Sequence, residues 1–411
     1  MGLIKKIKNS NKPLLGQILD LIPTHILSSV VKKHKSDKYC KSYKTRDQLV
    51  SMLLGQLNGC NTLRDITTAL NVSGAFLNDI GLDQSPARST MSSSNAKRCW
   101  QVFEDLFTSL LGYYARMFRK TEGYKVIKEL EGKQIKIIDS STISLCLQLF
   151  DWAKFRTAKG AIKIHTCLDE GTEIPELVYI SDGKMHDRKG IDHLTIQDNS
   201  ILIDDRGYFD FSLFVKLIVK EVTFVTRIKD NTVYKSVREL DLPEDRDFHI
   251  LKDEIIRLTG AKAYESTICD HDLRRVVVYD QEKKTTIEII TNNLALPAWV
   301  ISDLYKRRWK IETFFKHLKQ NLQVKTFIGT SENACKSQIY IALIAYTLLE
   351  FIRRHISKVN HGLKQFVNLI RICLMHYQGL NYIVNQVTHV SCSNKQKKPE
   401  ETGQISLKFA S

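Results

Sequence analysis

Residues 301–322 form a predicted helix that carries side chains able to do chemistry along one face. At about 100° per residue, four of them fall within a strip roughly 60° wide: Tyr305, Arg308, Glu312 and Lys319. No glycine or proline interrupts the stretch, so we expect one continuous helix. The apolar residues beside the strip predict a face packed on a core, namely Leu304, Ile311, Phe315, Leu318 and Leu322. In such a site the carboxylate could bind a metal ion and the two cations could bind phosphate groups.

Further acids follow two predicted strands upstream of this helix. Asp139 ends the apolar stretch 135–138 and precedes hydroxyl residues, and Asp204 and Asp205 end the stretch 200–203. An ionised carboxylate is costly to bury unless a cation compensates it. Asp139 is therefore either a metal ligand or a partner of the hydroxyls that follow it. Because side chains alternate along a strand, only one of Asp204 and Asp205 can face the site. The other points away or caps the helix that begins near Phe209.

The spacing of the helix residues resembles the signature of a known family. Tyr305, two residues, Arg308, three residues, Glu312, six residues and Lys319 match all four positions of the pattern Y-(2)-R-(3)-E-(6)-K. This pattern is the signature of the insertion-sequence-four (IS-four) family of DDE transposases. The sequence is thus similar to that family over roughly residues 14–355.

The upstream acids resemble the same family. The segment 139–141, DSS, resembles the motif around the family's first aspartate, and the segment 205–208, DRGY, resembles the motif around its second. The resemblance implies that Asp139, Asp205 and Glu312 are the catalytic acids and the metal ligands. It favours Asp205 over Asp204 as the second acid.

The resemblance also implies a reaction. We expect a DNA transposase of a bacterial insertion sequence that binds inverted-repeat ends and catalyses metal-dependent cleavage and strand transfer, with a hairpin as intermediate. Tyr305, Arg308 and Lys319 would hold the terminal nucleotide near the cut. Arg227 is a further candidate DNA contact, with an ordinary cation at a strand edge as the alternative. Two rival functions remain open: a structure-selective DNA nuclease of the same fold, and an inactive DNA-binding descendant.

Three carboxylates without a histidine or cysteine cluster predict a hard, oxygen-rich metal site. Mg²⁺ prefers such ligands, and Mn²⁺ can substitute for it. Two ions per site would suit an in-line displacement at a phosphodiester.

Composition favours a nucleic-acid partner. The formal net charge is +16 with a pI near 9.3, which indicates a polyanionic partner. Nine cysteines occur without one C-x-x-C spacing, which excludes zinc ribbons and zinc knuckles and predicts reduced thiols. The lysine-rich N-terminus lacks the apolar stretch of a signal peptide, and the apolar run 339–349 is too short to span a bilayer. We expect a protein of the bacterial cytoplasm, associated with the nucleoid and not with a membrane.

The order of the elements predicts an α/β fold with a ribonuclease-H-like catalytic domain. Helical patterns fill residues 14–110, and strands follow at 132–145, 161–169, 175–183, 200–207 and 223–230. We divide the chain as follows: 1–125, helical DNA-binding module; 126–230, first part of the catalytic core; 231–293, β-rich insertion; 294–330, core helix with Glu312; 331–390, C-terminal helices; 391–411, disordered basic tail.

The helical module contains a second candidate DNA-binding surface. Residues 85–100 combine small hydroxyl side chains with Arg88, Lys97 and Arg98, which suits a helix that enters a DNA groove. The alternative is a solvated loop. The partner would be double-stranded DNA, both the element's ends and the target, bound by a homodimer because two ends must be held together.

Overall fold

The structure is a computed structural model, and part of the chain is described in it. The described residues are 11–71, 74–119, 128–145, 150, 152–156, 159–193, 196–242, 249–322, 324 and 326–386. Most of the predicted basic arm at the N-terminus and the whole predicted tail 391–411 lie outside them.

The chain begins with a layer of helices, as the periodicity predicts. These helices are α1 (Leu14–Leu19), α2 (Thr24–His34), α3 (Thr45–Asn58), α4 (Leu63–Asn71), α5 (Gly74–Asp79), α6 (Arg88–Lys97) and α7 (Gln101–Arg119). α4 begins at a reciprocal cap, because the backbone N–H of Asp65 donates to Thr62 and the backbone N–H of Thr62 donates to the Asp65 carboxylate. The buried apolar faces of α3 and α7 supply much of this layer's core.

One large mixed sheet follows the helices. Its strands are β1 (Ile135–Leu145), β2 (Lys154–Arg156), β3 (Lys159–Asp169), β4 (Pro175–Asp182), β5 (Ile201–Ile203), β6 (Thr223–Arg227), β7 (Tyr234–Glu239), β8 (Ile250–Leu258), β9 (Leu273–Asp280) and β10 (Thr285–Thr291). Short helices lie between some of them: α8 (Asp187–Gly190), α9 (Phe211–Val219) and α10 (Ala261–Glu265).

The centre of the sheet has the ribonuclease-H-like order β4-β3-β1-β5-β6. β1 runs antiparallel to β3 and parallel to β5, and β5 runs parallel to β6. Ile137 pairs with Ile203, so the residues that follow them on the two strands lie at neighbouring positions. The fold therefore places Asp139 on β1 beside Asp205, which follows β5.

The β-rich segment 231–293 continues this same sheet. β10 pairs antiparallel with β6, and β9, β8 and β7 follow outward in that order. Two ion pairs buried between β8 and β9 join this part of the sheet, Arg274 with Asp253 and Arg275 with Glu254. Strand content at these positions agrees with the sequence pattern. The continuous pairing to β6 is a finding that the pattern did not predict.

The expected continuous helix at 301–322 is interrupted. The structure has α11 (Ala298–Arg307) and α12 (Trp309–Gln320), which meet at Arg308. The backbone of Arg308 stays helical at φ −52° and ψ −30°, but its N–H donates to Tyr305 three residues back. The expectation was wrong at this point because one tight turn replaces the regular α-helical spacing.

Helices close the described chain. They are α13 (Glu332–His355), α14 (Leu363–Cys373) and α15 (Leu380–Gln386). α13 is long and apolar enough to cross a membrane by length and composition alone, but 94% of its most apolar window is buried inside the protein. It packs against α7, α3 and α12, as the core helix of a folded protein does.

Candidate active site

Three acids that are far apart in the sequence line one cleft. Asp139 comes from β1, Asp205 follows β5, and Glu312 lies on α12. The cleft has a volume of about 360 Å³. Its lining residues are Asp139, Ser140, Ser141, Asp205, Arg308, Glu312, Phe315, Lys316, Lys319 and Gln320. Of the residues singled out on the predicted helix, Arg308, Glu312 and Lys319 belong to this lining.

Asp139 has an environment that disfavours its charge. It lies in the middle of β1, paired with Thr166 of β3, and its carboxylate accepts a hydrogen bond of 2.7 Å from the backbone N–H of Ser140. Burial, together with the nearby charges of Asp205 and Glu312, raises the pKa of Asp139 to about 7, against the opposing effects of the Ser140 hydrogen bond and Arg308. A carboxyl group in this state gains much from a nearby cation.

Arg308 supplies the positive charge between two of the acids. Its Nη2 lies 2.6 Å from Oε1 of Glu312, and its Nη1 lies 3.9 Å from Oδ2 of Asp139. The side chain is only 12% exposed, and its guanidinium lies 5.8 Å from the ring centre of Tyr305. Arg308 therefore holds the Glu312 carboxylate toward β1.

The neighbouring acids Asp204 and Asp205 have different environments. Asp205 reaches the cleft, whereas Asp204 is fully buried, with the Thr226 hydroxyl of β6 beside its carboxyl group. Asp204 does not cap α9, because that cap is Asp210, whose carboxylate accepts 2.8 Å from the N–H of Leu213. The open choice between the two aspartates thus falls geometrically on Asp205.

Asp204 gives a testable dependence of stability on pH. Burial raises the pKa of Asp204 from 3.8 to about 7, so its ionised form destabilises the fold, and this penalty develops as the pH rises between these values. In metal-free buffer, Asp204→Asn is expected to raise the free energy of unfolding by roughly 1–3 kcal/mol at about pH 8 and to have little effect near pH 4. Urea unfolding at both pH values measures this. An equal effect at the two pH values would contradict it.

The sequence did not single out Lys316 and Gln320, which also line the cleft. They follow Glu312 at i+4 and i+8, so they lie on the same side of α12 as the acid. The helical projection placed Lys316 just outside the strip, which is why it was missed. Lys319 donates to the carbonyl of Thr142 at 3.0 Å and so lies against β1.

A second group of polar residues is hydrogen-bonded to Ser140. The Ser140 hydroxyl donates to the Asp187 carboxylate, and Lys163 lies 3.0 Å from the same Asp187 oxygen. The pKa of Asp187 lies below its usual value because these donors outweigh its burial. No local spacing could reveal this contact, since Ser140, Lys163 and Asp187 come from three separate elements.

Tyr305 and Arg227 lie near the cleft but do not line it. Tyr305 is 9% exposed and close to Arg308, and burial raises the pKa of its hydroxyl. Arg227 ends β6, where its charge is close enough to affect the same hydroxyl. Contacts of these two residues with DNA stay predictions.

The candidate residues of α6 fall into two groups. Arg88 and Lys97 are the first and last residues of α6 and are both exposed, and Arg88 lies on the helix face that also carries Ser89, Ser92 and Ser93. Arg98 is 7% exposed, and its guanidinium donates to the Gln48 side chain and to the carbonyls of Tyr43 and Ser36. The expectation that Arg98 contacts DNA is therefore corrected, because its donors are used inside the helical layer.

The donor chemistry of the cleft fits a hard divalent cation. All three acids offer carboxylate oxygens, and the pKa of Asp139 is raised chiefly by burial, so a bound cation would stabilise its ionised form. Within the described residues, no three histidine, cysteine or acidic side chains are already arranged as one metal-binding set. Arg308 lies between Asp139 and Glu312, so these side chains would have to rotate away from it to share an ion.

Comparisons with known proteins agree with this geometry. Residues 130–348 match the family described as "Transposase DDE domain", and residues 10–83 match a domain of unknown function, DUF4372. A transposase designated y4zB from Sinorhizobium fredii is 30% identical over 72% of this chain and 80% of its own length. A transposase for insertion sequence element IS5377 from Geobacillus stearothermophilus is 28% identical over 58% of this chain and 62% of its own length.

The chain is also similar to a solved structure, a piggyBac transposase synaptic complex with hairpin DNA. It aligns with a TM-score of 0.40 and 13% identity over 90% of this chain and 81% of its own chain.

Proposed function

The chain belongs to the transposase DDE domain family, and from this membership we propose that it is the transposase of a bacterial insertion sequence. It would bind the inverted-repeat ends of its element, cleave the DNA strands there and join the released ends to a target. The observation that carries this proposal is the shared cleft of Asp139, Asp205 and Glu312. We assign these three acids as the catalytic residues and metal ligands.

The finer assignment within the family rests on the helix residues. The spacing of Tyr305, Arg308, Glu312 and Lys319 supports membership in the IS-four branch. Membership in that branch would include a hairpin intermediate, in which the first liberated 3′ hydroxyl attacks the opposite strand.

We propose two Mg²⁺ ions per site as the cofactor, with Mn²⁺ as a substitute, because hard carboxylate ligands suit both. Bound there, the ions would lower the pKa of the attacking water or 3′ hydroxyl and stabilise the leaving oxygen. Asp139, Asp205 and Glu312 would hold them.

The cations of the cleft have separate roles from the acids. Arg308 can donate two hydrogen bonds to the oxygens of the scissile phosphate once the Glu312 side chain rotates away from its guanidinium. Lys316 and Lys319, farther along α12, would bind the next phosphates.

The exposed face of α6 is the proposed site of contact with the element's ends. Small hydroxyl side chains allow the helix backbone to approach DNA closely, and Arg88 and Lys97 place a positive charge at each end of the helix. This surface lies in the proposed helical module, residues 1–125. A homodimer in the DNA complex and a location in the bacterial cytoplasm complete the proposal.

Lys97 and Arg98 are adjacent but give opposite predictions. Lys97→Ala should weaken end binding and reduce the slope of log affinity against log salt by about one, since one phosphate contact is lost. Arg98→Ala should leave that slope unchanged but lower the free energy of unfolding by roughly 2–3 kcal/mol, because it leaves buried acceptors unpaired. Gel-shift titrations at several salt concentrations, together with urea unfolding, measure both effects. The reverse pattern would contradict the assignment of α6.

The proposed function is tested by incubating the purified protein with Mg²⁺ and DNA that carries the element's own ends. Cleavage at the ends followed by joining to target DNA is expected, and EDTA should abolish both. Cleavage of branched DNA of any sequence without joining would favour the nuclease. Binding to the ends without cleavage would favour the inactive descendant.

A further inference from the structure

A buried glutamate, Glu170, binds the segment that joins α11 to α12, the helix that carries Glu312. Glu170 directly follows β3, and its side chain is 1% exposed. Its Oε1 lies 2.6 Å from Nζ of Lys310 and 3.3 Å from Nη1 of Arg307. These two cations stand immediately on either side of the tight turn at Arg308, where α11 and α12 meet.

The tight turn explains how both cations reach one oxygen. The N–H of Arg308 donates to the carbonyl of Tyr305 at 3.1 Å, and the N–H of Ile311 donates to the carbonyl of Arg308 at 3.2 Å. Each of these bonds joins residues three positions apart, as in a 3₁₀-helix. With three residues per turn, side chains at positions i and i+3 point the same way. Arg307 and Lys310 have this spacing, and the Glu170 carboxylate binds both of them.

Glu170 is itself fixed to the strand that carries Asp139. Its backbone N–H donates to the carbonyl of Ile135, the first residue of β1, at 2.9 Å. Farther along the same strand, Lys319 donates to the carbonyl of Thr142. The helix is thus attached to β1 on both sides of the position where Glu312 lies near Asp139.

A buried ion cluster of this kind adds little net stability compared with apolar packing of the same volume, but in some proteins buried polar groups select one geometry. We propose that Glu170 is a positioning residue, which holds the tight turn at Arg308 so that Arg308 and Glu312 face Asp139. This role rests on the proposed function of the cleft. The position of the turn itself can be tested without any DNA.

Glu254 offers a matched control for Glu170. Its side chain is also 1% exposed and also lies between an arginine and a lysine, Arg275 at 2.5 Å and Lys252 at 3.1 Å. These partners lie on β8 and β9 and not on either of the two helices that meet at the turn. Glu170→Gln and Glu254→Gln each remove one buried charge of the same type, so a general loss of stability should affect both variants alike.

The first readout is ¹⁹F NMR of the protein labelled with fluorotryptophan. The chain contains four tryptophans. Trp309 is the first residue of α12 and is 47% exposed, with the ammonium of Lys283 at 4.1 Å from its ring centre. Trp309→Phe assigns its resonance. We expect Glu170→Gln to shift or broaden this resonance while those of Trp100 and Trp152 stay in place. Lys310→Gln should give the same change, and Glu254→Gln should not.

The second readout is single-turnover strand cleavage with bound ends. Glu170→Gln should lower the rate constant roughly 100-fold, because a small displacement of a catalytic group is costly, while end-binding affinity stays close to wild type. Glu254→Gln should cleave at nearly the wild-type rate. An unmoved Trp309 resonance in Glu170→Gln, or equal cleavage rates in the two variants, would overturn the proposal. A wild type that does not cleave refutes the proposed function, and the NMR result still decides the role of Glu170.

Discussion

Asp139→Asn and Asp205→Asn are each expected to reduce strand cleavage at the element's ends by roughly 10³-fold or more. Asparagine keeps the shape of the side chain but removes the negative charge that a divalent cation requires. Single-turnover cleavage in Mg²⁺ measures the effect, and a gel shift should show end binding within a few-fold of wild type.

Asp210→Asn is the matched control for these variants. Asp210 lies in the same loop as Asp205 and caps α9, and asparagine caps helices equally well. Its cleavage rate should equal that of the wild type. A cleavage rate within tenfold of wild type for either Asp139→Asn or Asp205→Asn would remove that residue from the catalytic set.

Arg308→Gln is expected to lower the cleavage rate about 100-fold, the effect of removing one donor from a charged reaction centre. In the free protein Arg308 lies between Asp139 and Glu312, so its loss leaves like charges facing each other. Because the guanidinium lowers the pKa of Asp139, that pKa should rise further in the variant. Single-turnover cleavage across a range of pH measures the first effect and tests the second.

Arg206→Gln provides the comparison for this prediction. Arg206 is 49% exposed, and its partner Asp230 is 87% exposed, so this surface ion pair contributes little. The variant should cleave like the wild type. If Arg308→Gln behaves in the same way, Arg308 has neither a structural nor a chemical role in the cleft.

Local patterns in the sequence predicted the parts of the site that depend on local geometry. Alternating apolar residues marked β1 and β10, and the helical projection placed Arg308 and Glu312 on one face of the helix. The same projection could not show the tight turn at Arg308, since no glycine or proline lies near it to mark a break. The turn depends on Glu170, which lies far away in the sequence and carries no local mark of its partners.

The burial of individual side chains also could not be predicted from the sequence. Lys97 and Arg98 are adjacent cations in the sequence, and only the packing of α6 on α3 separates an exposed side chain from one bonded to Gln48 and Tyr43. The pairing of β10 with β6 was also beyond the sequence pattern, because a strand's alternation identifies its buried face but not its neighbour.

That pairing has a consequence for attempts to shorten the protein. β6 follows directly after β5 in the sheet, and its other edge is covered by β10. A truncated form without residues 234–291 would expose a row of unpaired backbone groups on β6, a template for edge-to-edge aggregation. Strands β7–β10 therefore protect the β6 edge of the sheet from pairing with another molecule. A shortened enzyme would need another strand or a charged residue to cover that edge.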